Sequence, residues 1–289
     1  MEPLLPNTKP NNMIEQHENL LSTHLNARIL GSGTETIVFA HGYGTDQSIW
    51  DKITPYFSEK SYKIVLFDWA FSGRIKDENL YDPLKYSSLE AFADDLISLL
   101  DEMELKDVSF VGHSMSGMIG CLASIKRPQL FKRLILLGAS PRYINTDDYE
   151  GGFAGSDIEN LLKNIESNYE NWIFGFSLNV VDPNDEASVN IFRESLKRMK
   201  NEVSLSVAKT VFCSDYRDIL EKVETPCTII QTSSDMAVPY SVALYMEKKI
   251  KGKVTLEVID TFGHFPQLTA PLQLVDVLKG VLGFQLSHV

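Results

Sequence analysis

The sequence predicts an α/β fold in which a mostly parallel sheet is flanked by helices. Three observations carry that expectation. First, short apolar runs recur along the chain: Thr36 to Ala40, Tyr62 to Asp68, Val108 to Val111, Arg133 to Gly138 and Cys227 to Gln231. Continuous runs of this kind, not alternating ones, mark strands covered on both faces. Second, helical periodicity fills the intervals. Between Ser88 and Met103, residues Leu89, Phe92, Ala93, Leu96, Ile97, Leu99 and Leu100 form one broad apolar face. Third, the run Gly112-His113-Ser114-Met115-Ser116 joins a β-branched stretch to a small, apolar one. Small residues two before and two after a serine permit a sharp strand-to-helix turn that lifts its hydroxyl above the sheet. Strand–helix alternation implies right-handed crossovers, with chemistry at the carboxyl ends of the strands.

Taken in order, Leu25 to Gly33 reads as a short strand and turn, and Thr36 to Ala40 as a buried strand. His41-Gly42-Tyr43-Gly44 follows, a loop able to approach a ligand closely, with Asp46 placed to cap the next helix. The helix after Ser114 runs to Lys126 and stops near Pro128. Between Pro141 and Asp215 the alternation breaks into a helical, aromatic-rich stretch, which reads as an inserted cap. Strands return at Cys227 to Gln231 and Thr255 to Ile259, with helices from Val238 to Ile250 and from Pro271 to Leu282. The expected organisation is a disordered tail over 1–17, a core over 18–140 and 215–284, and a helical lid over 141–214.

With 289 residues, 44% of them hydrophobic, one large domain is the better expectation than two small ones. A formal charge of -12 argues against nucleic acid or an anionic membrane as partner. No apolar run reaches membrane-spanning length, and the polar N-terminus lacks the basic and apolar regions of a signal peptide. Three cysteines without a C-x-x-C pair suit a reducing compartment. The cytoplasm, with the nucleus as a second location, is therefore expected, and Cys121, Cys213 and Cys227 read as buried structural thiols. No His, Asp and Glu cluster has metal-ligand spacing, and no cofactor is implied.

A serine hydroxyl needs a base, and the base needs an orienting carboxylate. His264 follows a late strand, whereas His288 falls in the terminal tail. Asp235 follows the preceding strand; Asp260 is its competitor, and Asp235 could also be a helix cap before Val238. The order Ser114, Asp235, His264 is that of a nucleophile-elbow hydrolase. Met115 and Tyr43 are the expected backbone N–H donors of an oxyanion hole. His41, which precedes the serine, reads as a loop stabiliser, and His113 as packing beneath the elbow. Tyr43, Phe153, Tyr169, Trp172, Phe176 and Phe192 are the candidate pocket residues.

These residues carry a resemblance. His41 to Ser48, Val111 to Gly120, Ser140 to Asn145, Asp148 to Phe153, Ser167 to Trp172 and Gly263 to Leu268 resemble the strigolactone and karrikin receptor subfamily of α/β-hydrolases, which also includes bacterial stress-regulator hydrolases. The resemblance runs from about Ala27 to Leu282. It implies the α/β-hydrolase fold, a V-shaped lid of four helices over a deep apolar pocket, and Ser114, Asp235 and His264 as the triad. A small residue at Ser116 is common there. Three stretches depart from the subfamily pattern: Phe67 to Gly73, Phe262 before Gly263, and Asn179 to Glu186. They suggest a divergent plant paralogue.

Two functions follow as expectations. One is a serine esterase acting on a small, largely apolar ester or butenolide-like lactone. The other is a receptor whose slow hydrolysis or ligand binding gates a lid that meets a signalling protein. Recruitment of the triad to a cyclisation or lyase step is a third.

Overall fold

The computed structural model describes residues 20–58 and 62–283. The proposed tail and His288 lie outside the described residues. The strands are β1 (Arg28–Leu30), β2 (Glu35–Ala40), β3 (Tyr62–Leu66), β4 (Val108–His113), β5 (Phe131–Leu137), β6 (Cys227–Ser234) and β7 (Val254–Phe262). The helices are α1 (Leu21–His24), α2 (Pro55–Ser58), α3 (Leu89–Glu102), α4 (Met115–Lys126), α5 (Gly155–Ser167), α6 (Tyr169–Val180), α7 (Glu186–Arg198), α8 (Asn201–Phe212), α9 (Tyr240–Lys249), α10 (Pro266–Thr269) and α11 (Pro271–Leu282).

Among the described residues the strands form one seven-stranded sheet in the order β1-β3-β2-β4-β5-β6-β7. Only β1 runs antiparallel, at the edge. The switch in strand order falls between β2 and β4, which pair Ala40 with Gly112. Ligands of open α/β sheets bind at such a point, beyond the strand ends. Here the His41 loop and the Ser114 turn leave the sheet side by side. Every residue of β4 is buried, as is all of β2 after Glu35. Both faces are covered by helices, which explains the unbroken apolar runs. Helix α4 is buried from Met115 to Ser124, so it is apolar on all sides.

Four details differ from the sequence reading. Leu25 to Gly33 holds only three strand residues, because α1 ends at His24 and Asn26 turns the chain at φ +49°. Asparagine is among the few side chains that tolerate this region. Residues 139–154 are not helical. Isolated bridges join Ile144 to Phe153 and Thr146 to Tyr149, and the Asn145 carboxamide accepts from the Gly151 and Gly152 N–H groups. Strand β7 extends past Ile259 to Phe262, carried by pairing with β6. Cys121 and Cys227 are buried, but Cys213 is exposed. It is the residue after Phe212, which α8 turns inward, so one further step around the helix carries its thiol outward.

Candidate active site

Strand β4 passes into α4 through Ser114, whose backbone sits at φ +57° and ψ -124°. A non-glycine residue held there stores on the order of 1–3 kcal/mol, which the surrounding structure must offset. The Ser114 N–H donates to the Leu137 carbonyl (2.8 Å), and its carbonyl accepts from Gly117 N–H (2.9 Å). A Cβ on Gly112 would stand 2.5 Å from the Ser116 carbonyl oxygen, so the turn closes only around glycine there.

Ser116, where the strict motif has glycine, is fastened by its hydroxyl. Its Oγ donates to the His41 carbonyl (2.5 Å) and accepts from the Trp69 indole N–H (2.9 Å). The indole N–H also reaches the His41 carbonyl (3.0 Å), and the Trp69 backbone N–H donates to His41 Nε2 (3.0 Å). Two departures far apart in sequence, Ser116 and the bulky Trp69 loop, thus meet in one cluster. It locks the elbow to the His41 loop.

His264 follows β7 and stands over Gly138, the first residue after β5. A Cβ on Gly138 would come within 3.0 Å of the imidazole Cε1, and its φ is +57°. The imidazole Nδ1–H donates to Asp235 Oδ2 at 2.7 Å, which leaves Nε2 free to act as a base. The Asp235 side chain is only 1% exposed and does two things at once. Its Oδ1 accepts from the Ala237 and Val238 N–H groups, so it also caps the turn before α9. Asp260 is exposed and bonded to Ser233, on the outer side of the sheet edge. The His264 backbone is held at both ends. Its N–H donates to the Val180 carbonyl at the end of α6 (2.7 Å), and its carbonyl lies 2.9 Å from His113 Nε2, which therefore donates.

The Ser114 hydroxyl lies 3.4 Å from the Tyr143 hydroxyl, its hydrogen-bond partner among the described residues. Burial pushes the Tyr143 and Tyr43 phenols upward, so both stay neutral. The Tyr43 hydroxyl is 2.6 Å from Ser204 Oγ of α8, which ties the His41 loop to that helix. The Tyr43 and Met115 backbone N–H groups have no hydrogen-bond partner among the described residues.

A cavity of about 20 Å³ opens over Ser114, room for roughly one water. Ser114, His264, Tyr43, Phe176 and Phe192 line it, together with Tyr143, Phe212 and Phe265. Phe192 packs on Phe265 with ring centroids 4.5 Å apart, and this filling accounts for the small volume where a deep pocket was expected. Phe153 and Trp172 line instead an outer groove between α5 and α6. Tyr169 stacks on Trp172 at 5.7 Å and donates its hydroxyl to the Leu196 carbonyl, so it packs α6 against α7. Tyr143 was missed as a site residue because its loop has no periodicity. Its place in Ser140 to Asn145 was the available signal.

His41 and His113 are fully buried, and burial lowers both. A histidine held neutral in the fold takes up a proton more readily once unfolded. Below about pH 6.5 the unfolded chain binds protons the native chain refuses, so stability present above that pH drains away as pH falls. Each group contributes at most about 1.4 kcal/mol per pH unit. Melting curves between pH 7.5 and 5.5 should show a steadily falling Tm; a flat Tm would contradict the neutral assignment.

A family model of the alpha/beta hydrolase fold matches residues 35–271. The chain belongs to this family. Within it the chain falls in the strigolactone and karrikin receptor-like subfamily, as its motifs led us to expect. It is 46% identical over 255 residues to strigolactone esterase RMS3 of Pisum sativum, covering 88% of this chain and 95% of that protein. It is 43% identical over 255 residues to Karrikin insensitive 2 receptor IA of Petunia hybrida, covering 88% and 92%. Among solved structures, a hydrolase from Oleispira antarctica superposes with a TM-score of 0.88 at 30% identity, covering 93% of this chain and 97% of that one.

Proposed function

We propose that this chain is a serine hydrolase that cleaves a small, largely apolar ester or lactone through an acyl-enzyme. The observation that carries the reading is the 2.7 Å bond from His264 to Asp235, with His264 and Ser114 facing one aromatic cavity. Ser114 Oγ attacks the carbonyl carbon while His264 Nε2 takes its proton. Asp235 holds the imidazole in the tautomer that leaves Nε2 free and stabilises the imidazolium. The oxyanion settles against the Tyr43 and Met115 N–H groups. Collapse expels the alcohol, which takes the proton from His264. Water, deprotonated by His264, then releases the acid. The Ser114 hydroxyl must turn from Tyr143 toward His264 as the carbonyl arrives; catalytic hydrogen bonds commonly tighten only in the complex. The chemistry asks for no cofactor.

Residues 141–214 act as a lid in this reading, and 18–140 with 215–284 as the core. Three ties would report lid movement to the site: Val180 to the His264 N–H, Ser204 to Tyr43, and Arg198 to Asp46 at 2.6 Å. Burial works against the Asp46 charge. Hydrogen bonds from Ser48, Arg74 and Arg198 outweigh it and hold the carboxyl below the usual range. These ties favour a second reading, in which ligand occupancy moves the lid and exposes a surface for a signalling protein. Phe174 and Ile191 are already exposed on α6 and α7. The exposed Cys213 thiol suits a reducing cytoplasm or nucleus.

Turnover separates the readings. With phenyl acetate and a butenolide probe, the enzyme reading expects many turnovers per chain. A single turnover, accompanied by ligand-dependent loss of Tm, would select the receptor. Product masses other than acid plus alcohol would overturn hydrolysis.

A further inference from the structure

The groove between α5 and α6 has a chemistry of its own. Its volume is about 470 Å³, well within the range of small-molecule sites. Asn160 and Asn164 lie one turn apart on α5; Asn171 and Asn179 lie two turns apart on α6, with Gly175 between them. Both helices thus turn an edge spaced by four residues toward the same space. No lysine or arginine lines it, and its one carboxylate, Asp157, is engaged at the Ala154 N–H. The Asn160, Asn164 and Asn179 carboxamides have no hydrogen-bond partner among the described residues.

Asparagine is a poor helix former, and a face that met only water would be better served by lysine or glutamate. Gly175 adds a second, independent observation. Glycine inside a helix is unfavourable, and a Cβ at Gly175 would meet nothing within 4 Å. No protein neighbour demands glycine there; what its missing side chain leaves is width in the groove. Local choices that weaken a helix without a packing reason concentrate at functional sites.

We propose that this groove is a subsite for a neutral, multiply hydroxylated leaving group, a glycosyl unit being the representative case. A carboxamide both donates and accepts, which matches hydroxyls. The absence of cationic side chains disfavours an anion. Trp172 and Met236 supply apolar surface for the carbon faces of the ligand. Phe176 and Val180 line both the groove and the cavity over Ser114, so the two spaces are neighbours across these side chains. Displacement of the two side chains would let an ester whose carbonyl reaches Ser114 leave its alcohol portion in the groove. The inference rests on the hydrolase chemistry read above and departs from its largely apolar substrate: the acyl half is apolar, and the alcohol half carries the hydroxyls.

The test compares two esters of one acid, phenyl butanoate and methyl 6-O-butanoyl-β-glucopyranoside. In Asn164→Leu/Asn179→Leu, KM for the glucoside should rise at least ten-fold, with phenyl butanoate turnover within two-fold of wild type. Gly175→Leu should show the same selective loss together with a raised Tm. Equal changes in both esters, or none, would overturn the subsite. A second arm is independent of turnover: saturation-transfer NMR of methyl β-glucopyranoside on Ser114→Ala protein. Transfer that is lost in the asparagine variant supports the groove; no transfer at millimolar ligand overturns it. If neither ester is cleaved, the hydrolase reading falls while the NMR arm still decides the groove.

Discussion

Replacing Ser114 by alanine is expected to lower kcat for phenyl acetate by at least about 10³-fold, with the fold intact. Alanine removes the attacking oxygen and nothing that holds the elbow. The turn is held by the Ser114 backbone N–H and carbonyl and by the Ser116–Trp69–His41 cluster, none of which uses Ser114 Oγ. Tm should therefore change by no more than a few degrees. Asp235→Asn should cost about 10⁴-fold in kcat by another route. The asparagine carbonyl can still accept from Ala237 and Val238, so the turn persists. Its amide cannot accept the His264 Nδ1 proton, and the imidazole is left in the wrong tautomer. A Ser114→Ala protein that kept more than a tenth of wild-type kcat would exclude this serine as the nucleophile.

Phe192→Ala should trade stability for pocket volume. The ring is 1% exposed, packs on Phe265 and forms one wall of the cavity over Ser114. Emptying such a site costs about 3–5 kcal/mol. The same deletion joins the space of the ring to a cavity with a volume of about 20 Å³. Long-chain aryl esters such as the octanoate should gain in kcat/KM relative to the acetate, by an order of magnitude or more. Unfolding in denaturant, followed beside the ester series, reads both effects. A normal midpoint with an unchanged chain-length preference would mean that the Phe192 ring does not bound the space substrates enter.

The parts of the molecule that were legible in the sequence are those governed by short-range pattern. Buried strands announced themselves as apolar runs because both faces of the sheet are covered. Ser114, Asp235 and His264 stood out because the topology orders them along the chain. What was not legible depends on how elements are rotated against one another. Whether Trp172 or Phe176 faces the cavity is decided by the roll of α6, and both have the same aromatic character in the sequence. Tyr143 sits in a loop held by isolated bridges and by the Asn145 side chain, which leave no period to read. Ser116, which departs only from the strict glycine motif, and the Trp69 loop, which departs from the subfamily pattern, looked unrelated in the sequence. In space they are one hydrogen-bonded cluster, and neither is intelligible without the other.

The most direct measurement is intact-mass and peptide mapping after reaction with a fluorophosphonate, which reacts with an activated serine and mimics its tetrahedral adduct. The wild-type chain should gain one phosphonyl group, mapped to the peptide carrying Ser114. Labelling should slow sharply in Asp235→Asn and be absent in Ser114→Ala. Labelling at another residue, or equal labelling of the Ser114→Ala chain, would contradict the account.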